Sequence, residues 1–284
     1  VENRRRVHLD EVPRQPGPGP SVRNFRDPKV FRYSGPAGSC WVMVAVEARE
    51  HKVVLDRSDD LKTWEDLSSF GPANGTRSVW ECPDRFPLPL DGNEDNIKRV
   101  LTVNLNPGDP NGGSAGQYFV GHFDGVRFSS ATTVTEGLQD PARLSEYLWL
   151  DWGRDFYAAV SFNNVPDGRR LMLGWMNNWQ YGNDIPTSPW RSPMSLAREV
   201  SPITSNGQLR LSQRAVCEAD TAPEHGVTYT GLNLEAGLHA MAGGTAAQLI
   251  EATFIPGQRE DHMICAFLWT NPQWRSSRKT DRSP

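Results

Sequence analysis

The sequence predicts an all-β protein built mainly of antiparallel strands. Three observations carry this prediction. Short apolar or alternating runs recur along the chain, turn-forming pairs separate them, and Pro141–Leu148 alone reads as helical, over a short stretch.

The elements follow in order. Residues 1–24 hold an Arg triplet and then Pro16-Gly-Pro-Gly-Pro20, which resists helix and ladder alike, so they are expected to form a flexible lead. From Cys40 onward, strands are predicted at Trp41–Val46, Lys52–Leu55, Arg99–Val103, Gln117–Val120, Phe156–Phe162 and Arg170–Trp175. Asp124-Gly125 and Pro166-Asp-Gly168 supply the chemistry of tight hairpin turns. A strand pair closing on an edge segment that carries Asp and an aromatic residue occurs at Asp56–Leu67 and again at His122–Thr132, a loose internal repeat. Repeated four-stranded units point to a β-propeller, and a β-sandwich is the competing reading. After Arg198 the texture shifts to alternating strands at Asn206–Leu211, Leu249–Phe254 and Met263–Trp269, which could begin a second all-β domain. The closing run RSSRKTDRSP is basic and polar and is expected to be unfolded.

Composition narrows the function. The 284 residues are 37% apolar before the 25 glycines are added, close to the globular norm, so disorder of the whole chain is not expected. Thirty basic against 34 acidic side chains give a net charge of −4 and no basic excess to neutralise a phosphate backbone, which argues against nucleic acid. No run approaches the roughly 20 apolar residues needed to cross a bilayer, and the opening Val-Glu-Asn-Arg-Arg-Arg lacks the apolar stretch of a signal peptide. Ten tryptophans and 22 prolines suit an all-β protein that stacks on sugar rings or other planar partners. Cys40, Cys82, Cys217 and Cys265 are dispersed, with no C-x-x-C pair, so neither a metal nor a cofactor is expected; they fit buried thiols as well as two disulfides. Asn74-Gly-Thr76 satisfies the N-glycosylation pattern.

Two segments carry candidate chemistry. In Arg26-Asp27-Pro28 the proline pushes Asp27 out of the helical region into an extended or turned backbone, where a carboxylate can be held rigidly; the plain alternative is a turn with a solvated ion pair. In Trp80-Glu81-Cys82-Pro83, Trp80 and Cys82 would strip water from Glu81, a setting that suits a general acid; the alternative is a partly buried Glu paired to an Arg.

Taken in order with five further segments, these motifs resemble glycoside hydrolase family 32, the β-fructofuranosidases that include invertases, levanases and exo-inulinases. The segments are FRDPKVF at 25–31, WECPDRFPLP at 80–89, NPGDPNGGS at 106–114, YFVGHFDG at 118–125, LDWGRDFYAA at 150–159, GWMNNWQYGNDIPTSPWRS at 174–192 and MSLAREV at 194–200. The exo-inulinase and levanase branch is the nearest in flavour. The resemblance implies a five-bladed β-propeller over 25–200 with its first blade missing, then a partial β-sandwich over 201–284. It also implies exo-acting, retaining release of terminal fructose from inulin, levan or sucrose, outside the cell, through a fructosyl-enzyme intermediate.

Carried over by position, Glu81 matches the general acid/base, Asp27 the carboxylate that stabilises the transition state, and Arg26 the neighbouring substrate-binding arginine. Trp175 matches a wall of the fructose pocket, with a core tryptophan as the alternative. Asp151 and Arg154 match polar contacts to the sugar on the leaving side. The family draws its nucleophilic Asp from a W-M-N-D-P-N-G segment well before RDP, and no such segment precedes Arg26, so the nucleophile is expected to be absent from the chain. Asp109-Pro-Asn-Gly112 reproduces D-P-N-G but follows WECP and is assigned to a turn. A catalytically dead, fructan-binding fragment or pseudogene product is therefore the competing function. A propeller glycosidase acting on arabinose or xylose is disfavoured by the ECP and WMNNWQY segments.

Overall fold

A computed structural model describes residues 24–36, 38–77, 79–135 and 141–216. The chain divides into two units, Val1–Ala219 and Asp220–Pro284, and every described residue lies in the first. The expected flexible lead, the strands at Leu249–Phe254 and Met263–Trp269, the basic closing run, Cys217 and Cys265 lie outside the described residues.

Among the described residues, twelve strands form three four-stranded antiparallel sheets, each a simple meander of consecutive strands. The first sheet holds β1 (Phe25–Gly35), β2 (Gly38–Glu47), β3 (Lys52–Ser58) and β4 (Glu65–Phe70). The second holds β5 (Val79–Leu90), β6 (Asn93–Asn106), β7 (Ala115–Phe123) and β8 (Phe128–Ser130). The third holds β9 (Tyr157–Ser161), β10 (Leu171–Trp175), β11 (Arg198–Ser205) and β12 (Gln208–Ala215). The two copies of the internal repeat fall on β3–β4 and β7–β8, the same hairpin of successive sheets. β11 straddles residue 200 and pairs with β10, so the third sheet runs through the change of texture noted after Arg198. The predicted helix is a single 3-10 segment, Pro141–Glu146.

Two cores lie between neighbouring sheets. The first gathers Val42, Val44 and Leu55 of the first sheet with Trp80, Leu101 and Phe119 of the second. Alternate positions of each strand face inward, as the two-residue side-chain period requires. Trp80 is fully buried, and its indole N–H donates to the Gly75 carbonyl at 2.7 Å. The second core joins Phe86, Val100 and Val120 to Met172 and Val200 of the third sheet and to Phe156, the residue just before β9. Asn74 is buried, and its Oδ1 accepts from the Thr135 N–H at 2.8 Å, so the glycosylation pattern at 74–76 is spent on folding rather than presented at the surface.

The opening strands β1, β5 and β9 share one irregularity. On each, two residues oppose one on the next strand: Asp27 and Pro28 between Arg26 and Lys29, Cys82 and Pro83 between Glu81 and Asp84, Ala158 and Ala159 between Tyr157 and Val160. Asp27, Cys82 and Ala158 all adopt positive φ, at 59°, 46° and 50°. This is the signature of a β-bulge, which kinks a strand and re-aims the adjoining side chain. A proline suits such a position because the bulge removes the ladder bond its missing N–H could not make. Asp27 is thus left-handed rather than extended, a conformation that Asp tolerates better than most residues.

Candidate active site

The three bulges bring one polar side chain from each sheet together. Arg26 Nη1 donates to Glu81 Oε1 at 3.0 Å, and the Tyr157 hydroxyl donates to Glu81 Oε2. Both oxygens of Glu81 are therefore held, which fixes the plane of the carboxyl group. Asp27 Oδ2 accepts from the backbone N–H of Cys82, the residue after Glu81, at 2.9 Å. The backbone amide freed by the second bulge thus anchors the carboxylate carried by the first. Arg26, Asp27 and Glu81, singled out from sequence, come together here, and the arginine partner foreseen for Glu81 is Arg26 itself.

The electrostatics of this cluster follow from burial beside two carboxylates. The Cys82 thiol is pushed up to about 12, first by burial and then by Asp27 and Glu81, so it stays protonated and unreactive at neutral pH. The Tyr157 phenol is raised well above its ordinary value, first by burial and then by its bond to Glu81, so it remains a donor.

One step below, the same strands form a second layer. Lys29 Nζ bonds Asp84 Oδ2 at 3.0 Å and donates to the Ser161 carbonyl at 2.6 Å, while the Ser161 N–H donates to Asp84 Oδ2 at 2.6 Å. This layer and Tyr157 were missed from sequence. A signal for the pairing was present: RDPK and ECPD carry opposite charges at equivalent positions around a proline.

Trp175 is half-buried at the end of β10. Its ring lies 6.2 Å from Tyr157 and 5.0 Å from Trp179, centroid to centroid, so it continues the site away from Glu81 as an aromatic shelf. Asp151 and Arg154 belong to a neighbouring cluster. Asp151 binds Arg198 at 2.6 Å and accepts from the Gly153 N–H at 2.6 Å. Arg154 bonds Gln180 and lies 5.2 Å over the Tyr181 ring.

Asn178, fully buried, is the hub of that cluster: its Nδ2 donates to the Arg154 carbonyl at 2.8 Å and to the Gly112 carbonyl at 3.3 Å, and its Oδ1 accepts from the Gln180 N–H at 3.0 Å. Gly113, with φ of 85°, makes room for it, since a Cβ there would sit 1.9 Å from Asn178 Oδ1. Asp109 lies in the same loop as a turn former, accepting from the Asn111 N–H as an Asx turn does. Burial raises Asp109 to about 6, against the pull of the Asn111 N–H and the Arg154 charge.

Among the described residues, no group of three or more His, Cys, Asp or Glu is placed to hold a metal ion, and no helix is long and apolar enough to cross a membrane. Cys40 and Cys82 are free thiols.

Comparison with known proteins gives this geometry its context. Residues 6–214 match the glycosyl hydrolases family 32 N-terminal domain. The chain is 41% identical over 237 residues to the levanase of Bacillus subtilis, covering 82% of this chain and 33% of that one. It is 45% identical over 207 residues to the extracellular exo-inulinase of Aspergillus niger, covering 72% and 37%. The chain thus spans about a third of the length of these curated relatives. Among solved structures, the exo-inulinase from Aspergillus awamori superposes with a TM-score of 0.64 at 41% identity, over 72% of this chain and 39% of that one. A fructofuranosidase from Schwanniomyces occidentalis complexed with fructose does so with a TM-score of 0.59 at 37% identity, over 68% and 36%. Sequence pattern, identity and fold agree over the same stretch that carries the Arg26–Glu81–Tyr157 cluster: the chain belongs to glycoside hydrolase family 32.

Proposed function

We propose that this chain carries the acid/base and sugar-gripping part of an exo-acting β-fructosidase site, which releases terminal fructose from inulin, levan or sucrose outside the cell. The observation that carries the reading is the convergence of Arg26, Asp27 and Glu81 from two sheets onto one cluster. In this reading Glu81 protonates the leaving oxygen and then accepts a proton from water, while ionised Asp27 favours the oxocarbenium-like charge that develops on the fructosyl ring. Arg26 orients Glu81 and reaches the sugar, Trp175 presents an apolar wall, and Asp151 and Arg154 border the leaving side. The three sheets are consecutive blades of a five-bladed propeller, with a β-sandwich beyond them. The relatives named levanase, exo-inulinase and fructofuranosidase support the substrate class.

The covalent nucleophile of the retaining mechanism does not map onto any residue of the 284, and losing a nucleophile lowers rate by orders of magnitude. The expected behaviour of residues 1–284 alone is therefore fructose binding with negligible turnover. Fructose titration followed by tryptophan fluorescence, beside Asp27→Asn and Trp175→Ala, checks the binding, and each substitution is expected to weaken it about tenfold or more. Fructose release from inulin, levan and sucrose, with Glu81→Gln as control, checks the turnover. Release at ordinary glycosidase rates that Glu81→Gln abolishes would place a nucleophile within these residues, and Asp109 is the first to substitute. Absence of any fructose binding would sink the proposal.

A further inference from the structure

Where the segment leading into β9 passes β7, the second and third sheets leave a cavity of about 130 Å³, and none of the residues that line it belongs to the sugar cluster. Tyr118 of β7, Arg210 of β12, the stretch from Ser145 to Trp149 and Trp152 border it. Hydrogen bonds fix these walls. The Tyr118 N–H donates to the Leu148 carbonyl at 2.9 Å, the Leu150 N–H donates to the Gly116 carbonyl at 2.7 Å, and the Tyr118 hydroxyl accepts from the Leu211 N–H at 3.1 Å. Trp152 is 54% exposed. Its backbone is nevertheless held, since Asn111 Nδ2 donates to its carbonyl at 2.6 Å and the following Gly153 N–H donates to Asp151 Oδ1 at 2.6 Å. A ring presented on a fixed backbone costs little to order when a ligand arrives.

The polar groups around the cavity keep bonding capacity that the described residues do not use. Glu146 meets Arg143 through Oε2 alone, at 2.7 Å, which leaves Oε1 as an acceptor. Arg210 spends Nη1 on the Leu209 carbonyl and Nη2 on Gln208, which leaves Nε as a donor. The Ser145 hydroxyl is bonded to none of the described residues. Ser145 and Glu146 are exposed and Arg210 is half-buried, so a ligand can reach these groups. Glu146 and Arg210 carry opposite charges, so the pair favours neither an anion nor a cation. Donors and acceptors beside an indole suit a neutral polyhydroxyl ring, whose C–H face meets the aromatic surface while its hydroxyls both give and take hydrogen bonds. The volume lies below the roughly 300–1,000 Å³ of pockets that enclose drug-sized ligands, which restricts the occupant to a single ring.

We propose that this cavity is a second saccharide site, which holds one ring of a fructan chain apart from the sugar cluster. The choice of a saccharide rests on the cavity itself, and the choice of a fructan rests on the function proposed above. A polymer repeats the same ring many times, so a molecule held here stays at high local concentration around the cluster. Free fructose gains no such advantage, and the site therefore separates polymer from monosaccharide.

The test follows the mobility of residues 1–284 through native gels cast with levan, inulin or dextran. Levan and inulin are expected to retard the parent, and dextran is not. Trp152→Ala should lower the affinity for levan and inulin about tenfold, while fructose titration followed by tryptophan fluorescence stays within about twofold of the parent. Trp152 is exposed, so the thermal midpoint of this variant should match that of the parent; Arg210→Gln, expected to lose several-fold in polymer affinity, gives a second readout that does not depend on it. Trp175→Ala, which damages the cluster, should keep a retardation that the double variant with Trp152→Ala loses. Unretarded parent in levan and inulin would overturn the proposal, as would retardation that survives both Trp152→Ala and Arg210→Gln. Equal retardation in dextran would overturn the choice of a fructan. Levan retardation that depends on Trp152 in a chain that binds no fructose would support this site while sinking the function proposed above.

Discussion

The two polar layers across β1, β5 and β9 are built to one plan and differ in what surrounds them. Each sets a cation of the first sheet against a carboxylate of the second, with a donor from the third: Arg26, Glu81 and Tyr157 above, Lys29, Asp84 and the Ser161 amide below. In the upper layer the Arg26 and Glu81 side chains keep 37% and 19% of their exposure, and the bulges aim them outward; in the lower layer Lys29 keeps 27% but its carboxylate partner Asp84 only 1%. A solvated ion pair is worth little to stability, whereas removing one partner of a buried pair leaves a charge that nothing offsets. The upper layer is thereby free to serve a ligand, and the lower one holds three sheets together.

The widest separation between the layers is expected in stability. Asp84→Asn strips the partly exposed Lys29 of its counter-ion and weakens the buried acceptor of the Ser161 N–H, and should destabilise the chain by about 2 kcal/mol or more. Glu81→Gln, in the partly exposed layer, should change stability by no more than about 1 kcal/mol. Urea unfolding of the two variants checks both values, and equal losses would erase the distinction drawn here.

A third carboxyl sharpens the contrast, because Asp109 is 8% exposed and is offered a backbone N–H in place of a bonded cation. Its acid is raised to about 6 in the fold, above the ordinary value of ~3.9 in the unfolded chain. Below about pH 4 both states are protonated and the fold bears no penalty. As pH rises through about 6 the folded state must ionise a buried group that the unfolded state ionised earlier, so stability falls across that window. Asp109→Asn, which keeps the acceptor for Asn111, should be more stable than the parent by about 2 kcal/mol at pH 7.5 and equal to it at pH 4. Thermal midpoints of the pair at the two pH values decide the matter, and a stabilisation present at both would show that ionisation is not its source.

Much of the fold is legible in the sequence because these strands are short apolar runs buried on both faces: the runs at Trp41–Val46, Arg99–Val103 and Gln117–Val120 lie inside β2, β6 and β7. Asp124-Gly125 and Pro166-Asp-Gly168 both fall between consecutive strands, where tight turns are needed. The sites of Arg26, Asp27 and Glu81 were legible through their motifs. Tyr157 was not, since its bulge at Ala158-Ala159 lacks the proline that marks the other two. Asp84 and Lys29 were passed over because a buried pair 55 positions apart shows only when two strands are laid side by side. Asn178 lies in the segment at 174–192 but its role was not legible there, because an amide hub is defined by the carbonyls that converge on it and those come from Gly112, Ser114 and Arg154.

The smallest effect on stability is expected at Tyr157, where the two layers can be compared at the level of one hydroxyl. Tyr157→Phe removes the donor to Glu81 Oε2, yet Glu81 keeps Arg26 and enough exposure for water to replace the lost bond. The stability change should therefore stay near ~0.5 kcal/mol, below the full cost of leaving a buried acceptor unsatisfied. The same change frees the Glu81 carboxyl to rotate while leaving Asp27 and Trp175 in place. Fructose affinity by fluorescence titration should stay within about twofold of the parent, in contrast to the tenfold loss expected of Trp175→Ala. A loss of binding as large as that of Trp175→Ala would mean that Tyr157 meets the sugar directly, and that the upper layer serves its ligand through the third sheet as well as the first two.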